Sequence, residues 1–244
     1  MTVLAVIPAR YKSTRFPGKP LADIAGRPMI AWVWDQAKKA KAIDRVVLAT
    51  DDDRIADYCR KNGIDVVMTS DSHMTGSDRI AEVATKIDAD IYVNVQGDEP
   101  LIDPDSIDKV ARLLRDSKAR GIEVATAYIE GATQEQMNAS SVCHLTATTD
   151  GCVITISRYP IPYPMVETVD RKIAVGLYGF SRQALERFSS WVRGPNERAE
   201  SIELMRFLEH GERIACTPIP PGSIGVDRPE DVATVEAIIR GRQA

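Results

Sequence analysis

No apolar run in this 244-residue sequence approaches the roughly 20 residues of a membrane span, so no membrane segment is expected. The N-terminus enters an apolar strand at once and lacks the basic, apolar, small-residue order of a secretory signal, which points to a cytoplasmic location. Cysteine is scarce. Cys59, Cys143, Cys152 and Cys216 have no paired short spacing and only three histidines accompany them, so neither a zinc site nor a disulfide frame is indicated. The chain lacks a basic excess: its net charge of −4 argues against a nucleic-acid partner. It also lacks Gly-x-Gly-x-x-Gly at its first strand-to-helix turn, which weighs against a dinucleotide-dependent oxidoreductase. Internal repeats and low-complexity segments are missing too.

What is present is an ordinary globular balance, 44% hydrophobic and 27% charged, in a chain long enough for a substantial core. Apolar runs at Val3 to Ile7, Arg45 to Ala49, Asp65 to Met68 and Ile91 to Val95 alternate with helix-like stretches, the order of βαβ units. Helices are expected from about Pro28, over Asp52 to Asn62 with Gly63 as C-terminal cap, over Ser77 to Ile87, and from Pro104 through Ser117. After Gly121 the strand-like runs Glu123 to Ile129, Val142 to Ala147 and Cys152 to Ser157 extend the sheet, with a hairpin turn at Thr149 to Gly151. A last helix over Pro229 to Arg240 buries Val232, Val235, Ile238 and Ile239. The expected architecture is one α/β domain over residues 1–244, a doubly wound fold with a mixed, mainly parallel sheet. Residues 1–120 make up its first half and 121–244 its second. Arg158 to Pro164 carries three prolines and reads as an extended arm, packed on a partner subunit or crossing the surface.

The chemistry concentrates at strand ends. Beyond the first strand, Arg10, Lys12, Arg15 and Lys19 lie in a loop shaped by Pro8, Ser13, Pro17 and Gly18, a composition that fits a nucleoside triphosphate. A solvated basic loop is the plainer alternative. Asp98 follows Gly97 at the carboxyl end of the strand Ile91 to Val95, where ligands of open α/β sheets bind. Asp227 precedes the last helix, and two such carboxylates from distant segments suit Mg²⁺. A turn role for Asp98 and a helix cap for Asp227 compete with that reading. Thr75 to Arg79 opens a helix whose first-turn N–H groups could read a base or hydroxyls. Ala49 to Asp52 ends a strand in a helix cap or a ribose contact.

Pro8-Ala9-Arg10-Tyr11 with Arg15 to Pro20, Ala49 to Asp52, Ser77-Asp78-Arg79, Asn94 to Pro100 and Gly225-Val226-Asp227 together resemble the 3-deoxy-manno-octulosonate (Kdo) cytidylyltransferases, or CMP-Kdo synthetases. The resemblance spans nearly the whole chain. It implies a Rossmann-like nucleotidyltransferase fold, a homodimer and transfer of CMP from CTP to a 3-deoxy-2-keto sugar acid with release of pyrophosphate, a step in lipopolysaccharide biosynthesis. It further implies that Arg10, Ser13, Arg15, Lys19, Ser77 and Arg79 surround CTP, that Asp98 and Asp227 hold Mg²⁺, and that Lys19, Asp98 and Asp227 carry the chemistry. Gln96, Arg158, Tyr178 and Glu203, with the positions of Ala174 and Leu204, would contact the acceptor, so that residues 1–120 would form the nucleotide-binding half and 121–244 the acceptor-binding and dimerisation half.

The sequence departs from the family pattern at three neighbouring places: Ala174 where histidine is common, Leu204 where glutamine follows the glutamate, and Cys143 near an expected lysine. Loss of these polar groups points either to drift within a Kdo enzyme or to another acidic acceptor, such as an amino-modified octulosonate or a phosphonate. A silent nucleotide-binding paralogue that regulates a partner is the alternative from another class.

Overall fold

The computed structural model describes residues 1–13, 15–131, 133, 136–137, 139, 141–165 and 171–243. In chain order it comprises β1 (Val3–Ala9), β2 (Asp23–Ile24), β3 (Arg27–Pro28), α1 (Met29–Lys39), β4 (Arg45–Thr50), α2 (Asp53–Lys61), β5 (Val66–Met68), α3 (Gly76–Lys86), β6 (Ile91–Val95) and α4 (Pro104–Ser117). There follow β7 (Val124–Glu130), β8 (Cys143–Ala147), β9 (Val153–Ser157), β10 (Lys172–Ser181), α5 (Arg182–Ser190), α6 (Pro195–Glu200), α7 (Met205–Glu209), β11 (Ile214–Pro218) and α8 (Pro229–Gln243). The main sheet runs β11-β7-β10-β6-β1-β4-β5, with β8 on β10 and β9 on β8. β6, β1, β4 and β5 are parallel, while β10 is antiparallel to β6, β7 and β8. This is the expected mixed sheet, and its second half does extend the first.

Alternation along β1 explains the two faces. Val3, Ala5 and Ile7 join Ile30 and Val33 of α1 and Ile107 of α4 on one side, whereas Leu4 and Val6 meet Ile80 and Val83 of α3 on the other. Full burial of each such side chain contributes about 1.5–3 kcal/mol. Phe180, Phe188 and Phe207 stack in the second core. A third cluster, Ile24, Met29, Leu101, Val226, Val235 and Ile239, ties α8 to the start of α1 and thereby places the turn holding Asp227.

Helix boundaries follow their capping chemistry. Asp52 accepts from Arg54 N–H at 3.0 Å, so the cap reading of that segment holds. Gly63 adopts φ +67° just beyond α2, and Pro104 opens α4 in its first position. Pro28 precedes α1 rather than starting it. One expectation is corrected: Pro8 lies within β1 rather than in the loop beyond it. The β1–β6 ladder stops at Val6 and Asn94 while the β1–β4 ladder runs on to Ala9 and Thr50, so Pro8 sits where the strand has only one neighbour. Among the described residues no helix is long and apolar enough to cross a membrane, and all four cysteines are free thiols.

Candidate active site

A cleft of about 420 Å³ opens at the carboxyl ends of β1 and β6. Its floor depends on a missing side chain: a Cβ on Gly97 would lie 2.6 Å from the Pro8 carbonyl oxygen, which is backbone and has no room to yield. The loop after β1 folds back on Tyr11, whose carbonyl accepts the N–H groups of both Ser13 and Gly18 at 3.0 Å. Gly18 takes φ +74° against the Tyr11 ring, a position where a side chain would be strained. Arg10, Ser13, Arg15 and Lys19 consequently line the cleft together; Lys12 is not among its lining residues.

Val226 N–H donates to the Asp98 carbonyl at 2.9 Å and brings the second carboxylate alongside the first. Lys19 Nζ lies 2.7 Å from Asp98 and 3.5 Å from Asp227, and Arg15 reaches Asp227 at 3.2 Å. Asp98 does sit in a turn, with the Glu99 N–H donating to the Gln96 carbonyl at 3.2 Å, so its turn role stands beside the cleft-facing one, whereas the cap role of Asp227 loses its support. Asp231, not Asp227, accepts the N–H groups of Asp227 and Arg228 at the start of α8, both at 2.8 Å. Among the described residues no three His, Cys, Asp or Glu side chains gather to hold a metal. Two carboxylates already holding a cation fit a divalent metal ion bound through oxygen.

Glu99 was missed by sequence reasoning. Burial, reinforced by the Asp98 and Asp227 carboxylates and opposed by Ser223 and Lys19, pushes its carboxyl up to about 7. Near neutrality it therefore withholds much of a third negative charge from the pair. His73 was missed as well. It lines the cleft and lies 2.5 Å from Glu82, whose carboxyl, although burial raises it, is drawn down to about 2 by hydrogen bonds from Lys86, the Ser70 N–H and His73.

Gln96, Arg158 and Glu203 also line the cleft. Gln96 packs across Gly176, where a Cβ would lie 2.7 Å from its Cγ, at the irregularity between β10 and β7. Arg158 donates from Nε to the Glu200 carbonyl at 2.6 Å and faces a second cavity of about 650 Å³ that shares Arg15, Ser201 and Asp227 with the first. Arg79 is buried, pairs with Asp51 at 3.4 Å and donates to Thr69, while still contributing to the cleft wall. Tyr178 lies behind the cleft against the second core; burial and then the Glu203 carboxylate raise its phenol well above the ordinary value, leaving it a neutral hydroxyl.

Four expectations need correction. Ser77 is fully buried and its hydroxyl donates to Glu203 at 2.5 Å. The N–H groups of Gly76 and Ser77 donate to the same carboxylate at 3.0 and 2.8 Å, so the first turn of α3 offers these donors to the protein rather than to a ligand. Leu204 is 1% exposed in the second core and does not face an acceptor. Ala174 lies opposite Cys143 in the β10–β8 ladder and packs against that same core. The three departures thus share one apolar environment, where apolar residues suit one another.

The fold and the cleft are those of a nucleotidyltransferase, and a family model for cytidylyltransferases matches residues 4–214. A relative from Syntrophotalea carbinolica named 3-deoxy-manno-octulosonate cytidylyltransferase is 41% identical, over 99% of this chain and 100% of its own. One of the same name from Myxococcus xanthus is 42% identical, over 98% and 97%. A solved structure described as CMP:2-keto-3-deoxy-manno-octonic acid synthetase complexed with CTP superposes with a TM-score of 0.94 at 35% identity, covering 99% of this chain and 100% of the other. The chain belongs to the 3-deoxy-manno-octulosonate cytidylyltransferase family.

Proposed function

We propose that this protein transfers CMP from CTP to 3-deoxy-manno-octulosonate with release of pyrophosphate, using Mg²⁺, as a cytoplasmic homodimer. The observation that carries the reading is the convergence of Asp98 and Asp227 on Lys19 inside a cleft also lined by Arg10 and Arg15. In the reaction an acceptor hydroxyl oxygen bonds to the α-phosphorus of CTP, its proton leaves to solvent, and the bond to the β-phosphate breaks with its electron pair on pyrophosphate. Arg10, Arg15 and Lys19 neutralise the triphosphate and the charge that collects on the leaving group. For Lys19 this requires the carboxylates to exchange its ammonium for the metal ion. Asp98 and Asp227 would hold Mg²⁺, which polarises the attacked phosphate when bound. Gln96, Arg158 and Glu203, which line the same cleft, orient the sugar acid; orientation of this kind is worth as much as about 7–11 kcal/mol of barrier.

The packing of Ala174, Cys143 and Leu204 supports drift within a Kdo enzyme over a changed acceptor, because Leu204 joins the core, Ala174 and Cys143 pack against it, and none lines the cleft. Pyrophosphate release with CTP and Mg²⁺ tests the reading against Kdo, its 8-amino derivative, a neuraminic acid and a small phosphonate. Turnover greatest with Kdo is expected. Turnover with another acid alone would move the acceptor assignment, and CTP binding with no turnover would favour a regulatory paralogue.

A further inference from the structure

The first turn of α3 is gripped from the other half of the chain by two side chains of opposite charge. Glu203 accepts the N–H groups of Gly76 and Ser77 and the Ser77 hydroxyl. Thr75 and Asp78 close a capping box on the same turn, with Thr75 Oγ1 accepting from Asp78 N–H at 3.1 Å. The free oxygen of Asp78 accepts from Arg206 Nη1 at 3.0 Å. Arg206 is one turn beyond Glu203, its N–H donating to the Glu203 carbonyl at 3.2 Å. It is held in turn by a two-pronged pair with Glu197, both bonds 2.7 Å, with Glu197 0% and Arg206 3% exposed. A carboxylate therefore reads the positive end of the helix while a guanidinium reads its capping aspartate. Sliding α3 by one residue would break both sets. The next residue on α3 is Arg79, at the cleft wall.

We infer that Glu203 is a positioning residue for the nucleotide, setting CTP affinity through the first turn of α3 and the Arg79 that follows it, in addition to any contact with the acceptor. The inference rests on the reading of the cleft as a CTP site. A residue serving the acceptor alone would have no need of three hydrogen bonds to a helix of the opposite half. Burial raises the Glu203 carboxyl above its ordinary value, and the bonds from Ser77 and Gly76 hold that rise back. Arg206 is the poorer test, because its removal takes two of the charged hydrogen bonds from the fully buried Glu197 and leaves it paired with Arg193 at 3.0 Å.

The experiment is calorimetric binding of CTP with Mg²⁺ and no acceptor to wild type, Glu203→Ala, Glu203→Gln and Ser77→Ala, with circular dichroism on each, followed by the KM for Kdo at saturating CTP. Expected is a loss of CTP affinity of about tenfold or more in Glu203→Ala, the scale of a lost hydrogen bond to a charged group. Partial rescue should come with Gln, which keeps a carbonyl acceptor, and a smaller loss in the same direction with Ser77→Ala. CTP affinity within twofold of wild type in the folded Gln and Ser77→Ala variants, with only the Kdo KM raised, would overturn the inference. Absence of CTP binding by wild type would instead remove the functional reading beneath it.

Discussion

Lys19 occupies the position between Asp98 and Asp227 that the proposed metal ion would take. On the proposed reading, removing either carboxylate would leave that ion one charged protein ligand, while the turn that carries it keeps its backbone bonds. Asp98→Asn and Asp227→Asn are each expected to lower kcat by orders of magnitude and to move the thermal midpoint little, measured by pyrophosphate release and calorimetry. Near-normal turnover in either would dismiss that residue from the mechanism. Glu82 carries a different consequence. Its carboxyl is near 2 in the folded protein against an ordinary value of 4.5, so the stability it contributes is complete above about 4.5 and is lost as pH falls through 2. That contribution is at most about 3 kcal/mol. Urea unfolding at stepped acid pH should show a steeper decline for wild type than for Glu82→Gln; parallel declines would mean that Lys86, Ser70 and His73 do not hold the charge.

Elements meet at the site with little tolerance. β1 and β6 leave no space for a Cβ at Gly97, so Gly97→Ala must displace the Pro8 to Arg10 backbone. A cost of about 1–3 kcal/mol is expected, with a raised KM for CTP; unchanged kinetics would mean that the loop adjusts freely. The turn leading into α7 delivers Glu203 to α3 and, with the next residue, Leu204 to the core. Leu204→Gln therefore buries an amide among apolar neighbours and should cost about 1–3 kcal/mol in chemical denaturation, with relative activity across the acceptor panel unchanged. A shifted preference would return this position to acceptor recognition. Periodicity made most of these elements legible: β6 and α4 fall where the pattern and Pro104 put them. The grip on α3 was not legible, because a capping signal shows a helix start but not which distant carboxylate covers its donors.

At the scale of the whole molecule, Tyr159, Tyr163 and Met165 stand 72%, 75% and 85% exposed along and just beyond the proline-rich segment. Such surface on one segment suits a partner subunit of the same kind. Sedimentation velocity is expected to give twice the 26.9 kDa chain mass, and Tyr159→Ser with Tyr163→Ser to shift the population toward monomer. A wild-type monomer would assign the segment to the surface alone. Within the chain, the alternation of apolar strands and helices, the cations after β1 and the placing of Asp98 and Asp227 near strand or helix ends were determined by sequence, since each follows from patterns and turn residues spanning a few positions. Tertiary structure alone decided that Lys19 meets Asp98 across 79 residues and Asp227 across 208, that Ser77 meets Glu203 across 126, and that Leu204 turns inward. Those pairings depend on the order of strands in the sheet and on which face each helix covers. Local preference carries no record of either, because the energy that selects them comes from burial and from charge pairs formed only once the chain has closed.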